Sequence, residues 1–305
     1  MGRPGKIAET HLLQKQIQLK KLLTNPFAEK LLLVFIRMFL SQNWVFKFVP
    51  SNKQYQPGTL REVSRKGIRY ELDLSDYQEW LVYFYCKSDS SEYVLDYLNQ
   101  SEIILDIGAN IGQTAFRMFQ NQAKKGLQPT VYAFEPYPRT FHKLEHNIAM
   151  NEAKGIRAFN LGLGSEKGTL HMTQHTPSNS GGFRMTTDTS NSISVPVCSL
   201  DEFVSTQALS RIDFIKIDVE GFETEVLKGA QQTIRRFRPV IIFEYSVLNI
   251  RAQNGNIEET FNELLNNNYK IRTKEGLSDP EVILQLTYHT DLICIPDEKS
   301  VRTSR

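Results

Sequence analysis

From Glu102 onward the chain alternates short apolar runs with amphipathic stretches, and this pattern restricts its fold more than any other feature. IILDIGA, TVYAFE, IRAFNLGL, FIKIDVE and PVIIFEY are strand-like, rich in β-branched and aromatic residues. Between them lie helical stretches: Ile111 to Asn121, TFHKLEHNIAMNEA, ETEVLKGAQQTIRRF and IEETFNELLNNN. Near-continuous apolar strands separated by helices imply a parallel sheet buried on both faces, so the class is α/β and doubly wound. Two segments depart from the alternation. GTLHMTQ and SISVPVCSL flank a long loop rich in Ser, Thr and Gly and are expected to form an inserted β-hairpin. YKIRTKE and LTYHTDLICIPD have no long helix between them, so they should pair antiparallel at the sheet edge.

The 305 residues have room for a catalytic domain and an appendage. We divide them into residues 1–95, a basic and mostly helical N-terminal extension, and residues 96–300, the α/β domain. Met1 to Tyr70 holds 13 Lys and Arg against three Glu and no Asp, a net of +10 that leaves −8 on the rest. Such a segment is either a solvated helical face or a surface for an anionic partner, and peripheral membrane contact is one form of the latter. The run LLLVFIRMFL, Leu31 to Leu40, falls short of the roughly 20 apolar residues of a spanning helix. Lys30, Arg37 and Ser41 share one stripe at helical spacing, which suits a helix lying in a membrane interface or packing on the main domain. No signal peptide is evident. Three dispersed cysteines, Cys86, Cys198 and Cys294, fit a reducing compartment, so the expected location is cytoplasmic, with membrane contact at most peripheral.

In open α/β sheets ligands bind beyond the carboxyl ends of the strands, where strand order switches. The first strand ends in DIGANIG, which brings Asp106, Gly108, Asn110 and Gly112 to that point. Its glycines permit a sharp turn and close approach of a ligand, but the spacing is not that of the GxGxxG dinucleotide turn. The second strand ends in YAFEPYP, with Glu135 lying 29 residues after Asp106. A carboxylate at that tip can accept hydrogen bonds from ribose hydroxyls; it also suits the first turn of the following helix. Both NAD and S-adenosylmethionine (SAM) carry such a ribose. Asp106, Glu135, Asp218, Glu220 and Glu244 all stand at strand ends and no Lys or Arg falls within DIGANIGQT, a distribution that suits a sulfonium better than a diphosphate.

DIGANIG, YAFEP, NLGLGSEKGTL, SLDEF, IDFIKIDVEGFETEVLKGA and RPVIIFE follow one another in an order that resembles the FkbM family of SAM-dependent methyltransferases, over roughly Glu102 to Glu244. The resemblance implies a Rossmann-like methyltransferase fold: a mostly parallel seven-stranded sheet with an antiparallel C-terminal edge strand, the inserted hairpin and a helical N-terminal extension. It also implies that Asp106, Gly108, Asn110, Gly112, Glu135 and Pro136 bind SAM, and that a methyl group passes to a hydroxyl of a sugar, polyketide or similar metabolite. Ser165 stands where the family commonly has Asp.

Methyl transfer to a hydroxyl requires an aligned nucleophile and an acceptor for one proton. Asp218 is the leading base, with Glu220 and Glu244 to orient the acceptor or support it. Glu223 and Glu225 fall in the first turn of a helix and are assigned to its dipole. No metal is assigned, since His171 and His175 belong to the inserted hairpin. Gly181, Gly182 and Phe183 are candidates for a lid over the acceptor. The partner is a small-molecule or glycan acceptor, and no nucleic acid is expected. An NAD-dependent oxidoreductase on the same sheet, or a membrane-associated binding protein without turnover, are the alternatives.

Overall fold

The structure, a computed structural model, describes residues 20–39, 43–84, 92–174, 183–186, 190, 192–252 and 256–302. These fall into two compact units, 20–84 and 92–302. In the first unit, α1 (Pro26–Met38) starts at Asn25, whose side chain accepts the amide of Phe27 at 2.9 Å, with Pro26 at the first helical position. Strands β1 (Leu60–Arg65) and β2 (Ile68–Asp73) form an antiparallel hairpin, and α2 (Tyr77–Phe84) follows. The hairpin turn is the two-residue Lys66-Gly67, both with positive φ, the geometry that matches strand twist. The extension expected to be mostly helical therefore also contains strands. IRYELD alternates the buried Ile68, Tyr70 and Leu72 with Arg69, Glu71 and Asp73, whereas LREVSR has adjacent charges at Arg61 and Glu62 and only Val63 buried. Arg61 on β1 holds the buried Glu29 of α1 at 2.7 Å, and Glu79 accepts the amide of Asp73 at 2.7 Å.

The second unit is built on β3 (Ile103–Ile107), β4 (Thr130–Phe134), β5 (Ile156–Phe159), β10 (Phe214–Ile217), β11 (Val240–Tyr245), β12 (Tyr269–Thr273) and β13 (Thr290–Pro296). They form one sheet in the order β12-β13-β11-β10-β3-β4-β5. β11, β10, β3, β4 and β5 run parallel, and β12 and β13 pair antiparallel as expected, but β13 lies between β11 and β12, so β12 rather than the C-terminal strand forms the edge. Every residue of β10, β11 and β13 is buried, so the apolar runs reflect cover on both faces. Asp213 fixes the β3–β10 register by accepting the amides of Glu102 and Ile103 at 2.9 and 3.0 Å. Strand order reverses between β3 and β10, which puts the switch point at their carboxyl ends.

The inserted hairpin is part of a second, four-stranded sheet, ordered β6-β9-β7-β8, of β6 (Gly162–Gly164), β7 (Gly168–Gln174), β8 (Phe183–Thr186) and β9 (Ile193–Ser199). The run IRAFNLGL is therefore two strands in two sheets. Asn160 turns the chain between them by donating to the carbonyls of Glu135 and Pro136 at 3.0 and 2.9 Å. ETEVLKGAQQTIRRF is likewise two helices, α6 (Glu223–Lys228) and α7 (Gln231–Phe237). Gly229 separates them because a Cβ there would lie 1.9 Å from the carbonyl oxygen of Gly164. Helices α3 (Gln113–Lys124), α4 (Pro138–Met150) and α5 (Leu200–Thr206) precede this pair; α8 (Val247–Ala252), α9 (Ile257–Asn266) and α10 (Pro280–Leu284) follow it. Among the described residues no helix is long and apolar enough to cross a membrane. Cys198 and Cys294 are free thiols, while Cys86, His175, Gly181 and Gly182 lie outside the described residues.

Candidate active site

The turn from β3 into α3 is folded tightly over its neighbours. Gly108 has φ +85°, and a Cβ on it would sit 1.8 Å from the carbonyl oxygen of Asp218 at the tip of β10. The amides of Gly108 and Ala109 both donate to Phe134 O, at 3.0 and 2.9 Å, which anchors the turn to the end of β4. Asn110 and Gly112 also have positive φ, and the space beside Gly112 is filled by Leu144 and Phe116. Backbone can approach a ligand closely here because three residues in five take conformations that exclude bulk at Cα.

Glu135 is buried where β4 ends. Its Oε2 accepts the amide of Asn110 at 3.0 Å and its Oε1 accepts the amide of Tyr137 at 2.9 Å. Both readings of this residue thus have a physical basis, since it braces the glycine turn and the start of α4 while keeping a lone pair free on each oxygen. Burial pushes its carboxyl up to about 7, against the pull of those two amides. Pro136 follows and offers its carbonyl to Asn160. Asp106 is buried too, and burial raises it to about 7, with Lys216 lowering and Asp218 raising. Its Oδ2 and the Oδ1 of Asn110 are buried without a hydrogen-bond partner. Two unsatisfied acceptors at a strand-end turn are the mark of a site awaiting donors or positive charge.

On the other side of the switch point stands Asp218, its side chain 45% exposed and its Oδ2 3.1 Å from Nζ of Lys216, which is buried. Burial alone would lower the lysine pKa, but Asp218, Asp291 and Asp106 outweigh it and hold the ammonium charged. Glu244, on β11 opposite Asp291 of β13, is also buried. Burial and the carboxylates of Asp218, Glu223 and Glu220 push it up to about 10, so it is protonated at neutral pH. Its Oε2 lacks a partner, and Oε1 lies 3.5 Å from Nε2 of the exposed His289. The structure thus brings Asp106, Asp218 and Glu244 into one electrostatic cluster and adds Lys216 and Asp291. Lys216 could have been found in the sequence, because a lysine in the middle of FIKID interrupts an otherwise continuous apolar strand. Asp291 had no such signal, since it stands near the start of β13 and meets Glu244 only through the pairing with β11.

The loop after β10 explains the remaining acids. Glu220 has φ +54° and Gly221 φ +104°, and a Cβ on Gly221 would lie 2.5 Å from Asn249 O. Glu220 Oε2 accepts from Asn249 Nδ2 at 3.3 Å. Glu223 is buried, and its Oε1 accepts the amides of Val219 and Gly221 at 3.0 and 3.2 Å, so it holds the loop. Glu225 pairs with Lys228 at 3.1 Å on the surface of α6. His171 lies on β7 near Ser192 and Ser194, in the second sheet. Among the described residues no three His, Cys, Asp or Glu side chains are grouped to hold a metal ion.

The donor set fits SAM. A sulfonium is served by carboxylates, an adenosine ribose by a carboxylate at the end of the second parallel strand, and the glycine turn leaves backbone accessible. Asp106, Glu135 and the backbone from Gly108 to Gly112 would hold it. Fold and site are those of a SAM-dependent methyltransferase.

The chain belongs to the Methyltransferase FkbM domain family, which it matches over residues 106–271. Among curated relatives it is 29% identical over 194 residues to Methyltransferase sdnD of Sordaria araneosa, covering 53% of this chain and 73% of that protein. It is 28% identical over 157 residues to the hexuronic acid methyltransferase AglP of Haloferax volcanii, covering 51% and 61%. It is 31% identical over 163 residues to the 2-O-methyltransferase NoeI of Sinorhizobium fredii, covering 47% and 63%. For the latter two the alignment takes in less than two thirds of the relative.

Proposed function

We propose that this protein transfers the methyl group of SAM to a hydroxyl oxygen of a small polyhydroxylated acceptor, a sugar, polyketide or similar metabolite. When bound, SAM supplies an electrophilic methyl carbon. The chain's own residues then have to align a hydroxyl and remove its proton as the new C–O bond forms. Asp218 suits the base: its carboxylate reaches solvent at the carboxyl end of β10, and its ion pair with the buried Lys216 holds it in place. Glu244 is the complementary partner, since a protonated carboxyl donates a hydrogen bond and orients an acceptor hydroxyl but takes up no proton. Glu220, tied to Asn249 in a left-handed conformation, shapes the rim.

The observation that carries this reading is the contrast between neighbouring carboxyls, one ion-paired and half-exposed, the other buried with an oxygen that has no partner. Pairs of acids driven to opposite protonation states are how one site performs both halves of proton management. The names of two relatives, a hexuronic acid methyltransferase and a 2-O-methyltransferase, support oxygen on a sugar-like molecule. The test is incubation of the protein with methyl-labelled SAM and a panel of uronic acids and neutral sugars. An alkali-stable label, as an ether gives, is expected; an alkali-labile label would mean carboxyl esterification and would overturn the hydroxyl as acceptor.

A further inference from the structure

Helix α1 has two apolar faces, and the first unit covers only one of them. Leu32 and Ile36 are buried inward, together with Glu29. Phe27, Leu31, Val34 and Met38 point outward with 71, 58, 54 and 66% of their surface exposed. Their spacing of four, three and four residues places them on a single stripe along the helix. Leu22 before the helix is equally bare, and beyond its end the stripe runs on into an aromatic cluster. Phe39 and Trp44 stand 6.2 Å apart, and Trp44 meets Phe48 edge-on at 6.1 Å, all three partly exposed. A contiguous apolar surface of this kind marks an interaction site.

Charge selects the partner. Between residues 20 and 61 the only acidic residue is Glu29, and it is turned inward onto Arg61. Lys21 and Lys30 beside the stripe, and Lys47 and Lys53 after it in the chain, are exposed, with Lys20 partly exposed. No carboxylate of this stretch faces outward, so the surface combines an apolar ridge, interfacial aromatic rings and uncompensated positive charge. A helix with such a ridge and lysines beside it suits the headgroup boundary of a bilayer, where the ridge meets acyl chains and the ammonium groups meet lipid phosphates. Thirteen residues give a ridge roughly 20 Å long, enough to lie in that plane and too short to cross it.

We propose that α1 and the following Trp44–Phe48 segment form an interfacial anchor that seats the protein on an anionic lipid surface. This anchor is separate from methyl transfer, and neither stands or falls with the other. The full chain should float with vesicles containing phosphatidylserine at least tenfold more tightly than with phosphatidylcholine alone, and raising the salt from 0.05 to 0.5 M should release it. Leu31→Asp combined with Val34→Asp should abolish flotation, and Lys20→Glu with Lys21→Glu and Lys30→Glu should remove the preference for anionic lipid. All of these side chains are at least partly exposed, so thermal stabilisation by SAM, measured in parallel, should match the unaltered protein. Equal binding to both vesicle types would overturn the electrostatic part. Failure to float, or a concentration-dependent dimer that Leu31→Asp/Val34→Asp dissociates, would overturn the anchor and assign the ridge to a protein contact.

Discussion

Nζ of Lys216 lies 3.1 Å from Oδ2 of Asp218, with the lysine buried and the aspartate at the mouth of the site. A buried ammonium with Asp106 and Asp291 also acting on it cannot be lost cheaply, because its removal leaves like charges facing one another. Lys216→Met should therefore lower kcat by about 10- to 100-fold, since Asp218 would lose the ion pair that positions it. Lys216→Arg should restore part of the rate. A purely structural lysine would reduce stability and leave the kcat of the folded enzyme where it was.

Asp218 and Glu244 should separate cleanly on amide substitution. Asp218→Asn removes the proposed base and should cost roughly 10²- to 10⁴-fold in kcat with little change in SAM affinity. Glu244→Gln replaces a neutral carboxyl with a neutral amide of the same shape and should cost less than about tenfold, seen mainly in KM for the acceptor. Single-turnover rates with labelled SAM compare the two; the reverse ranking would make Glu244 the base.

The parallel sheet, its antiparallel edge and the glycine turn were legible because each rests on a pattern along the chain: continuous apolar runs, a missing crossover helix, glycines after a strand. Asp106, Glu135 and Asp218 could be picked out by applying one rule about strand ends. Features set by contacts distant in sequence could not. The split of IRAFNLGL depends on Asn160 reaching the carbonyls of Glu135 and Pro136, and the break at Gly229 depends on the carbonyl of Gly164. The contrast between Asp218 and Glu244 is likewise a matter of burial and neighbouring charge, and Asp291 joins them only through the β11–β13 register. The hairpin of the first unit was missed although IRYELD alternates apolar and charged residues, because its partner LREVSR shows no such period.

Asp106 and Glu135 both sit near pH 7 in the absence of a cation, raised chiefly by burial. SAM brings positive charge and ribose hydroxyls to these groups, which favours their ionised forms. Binding should thus release protons near pH 7, and affinity should rise with pH through that value, by up to about tenfold per unit for each group titrated. Calorimetric titration of SAM in two buffers of different ionisation enthalpy measures the release. Glu135→Ala should weaken SAM at least tenfold and reduce the number of protons released.

Glu223 offers a test of stability alone. Its carboxyl is buried and raised to about 7, while one oxygen accepts the amides of Val219 and Gly221 in a loop where Glu220 and Gly221 both have positive φ. A carboxyl whose folded pKa lies above its ordinary value takes up a proton on folding. Its contribution is full below about 4.5 and is lost as the pH rises through about 7. Glu223→Gln keeps an oxygen acceptor for both amides and cannot ionise, so it should remove this share of the pH dependence and become the more stable form above pH 7, by on the order of 1 to 3 kcal/mol. Glu223→Ala leaves two buried amides unpaired and should cost about 2 to 4 kcal/mol at pH 5, and less at pH 8, where the unaltered protein has lost the carboxyl's own share. Urea denaturation at pH 5 and pH 8 checks both. If Gln and Ala destabilise equally, the loop is not held through that oxygen.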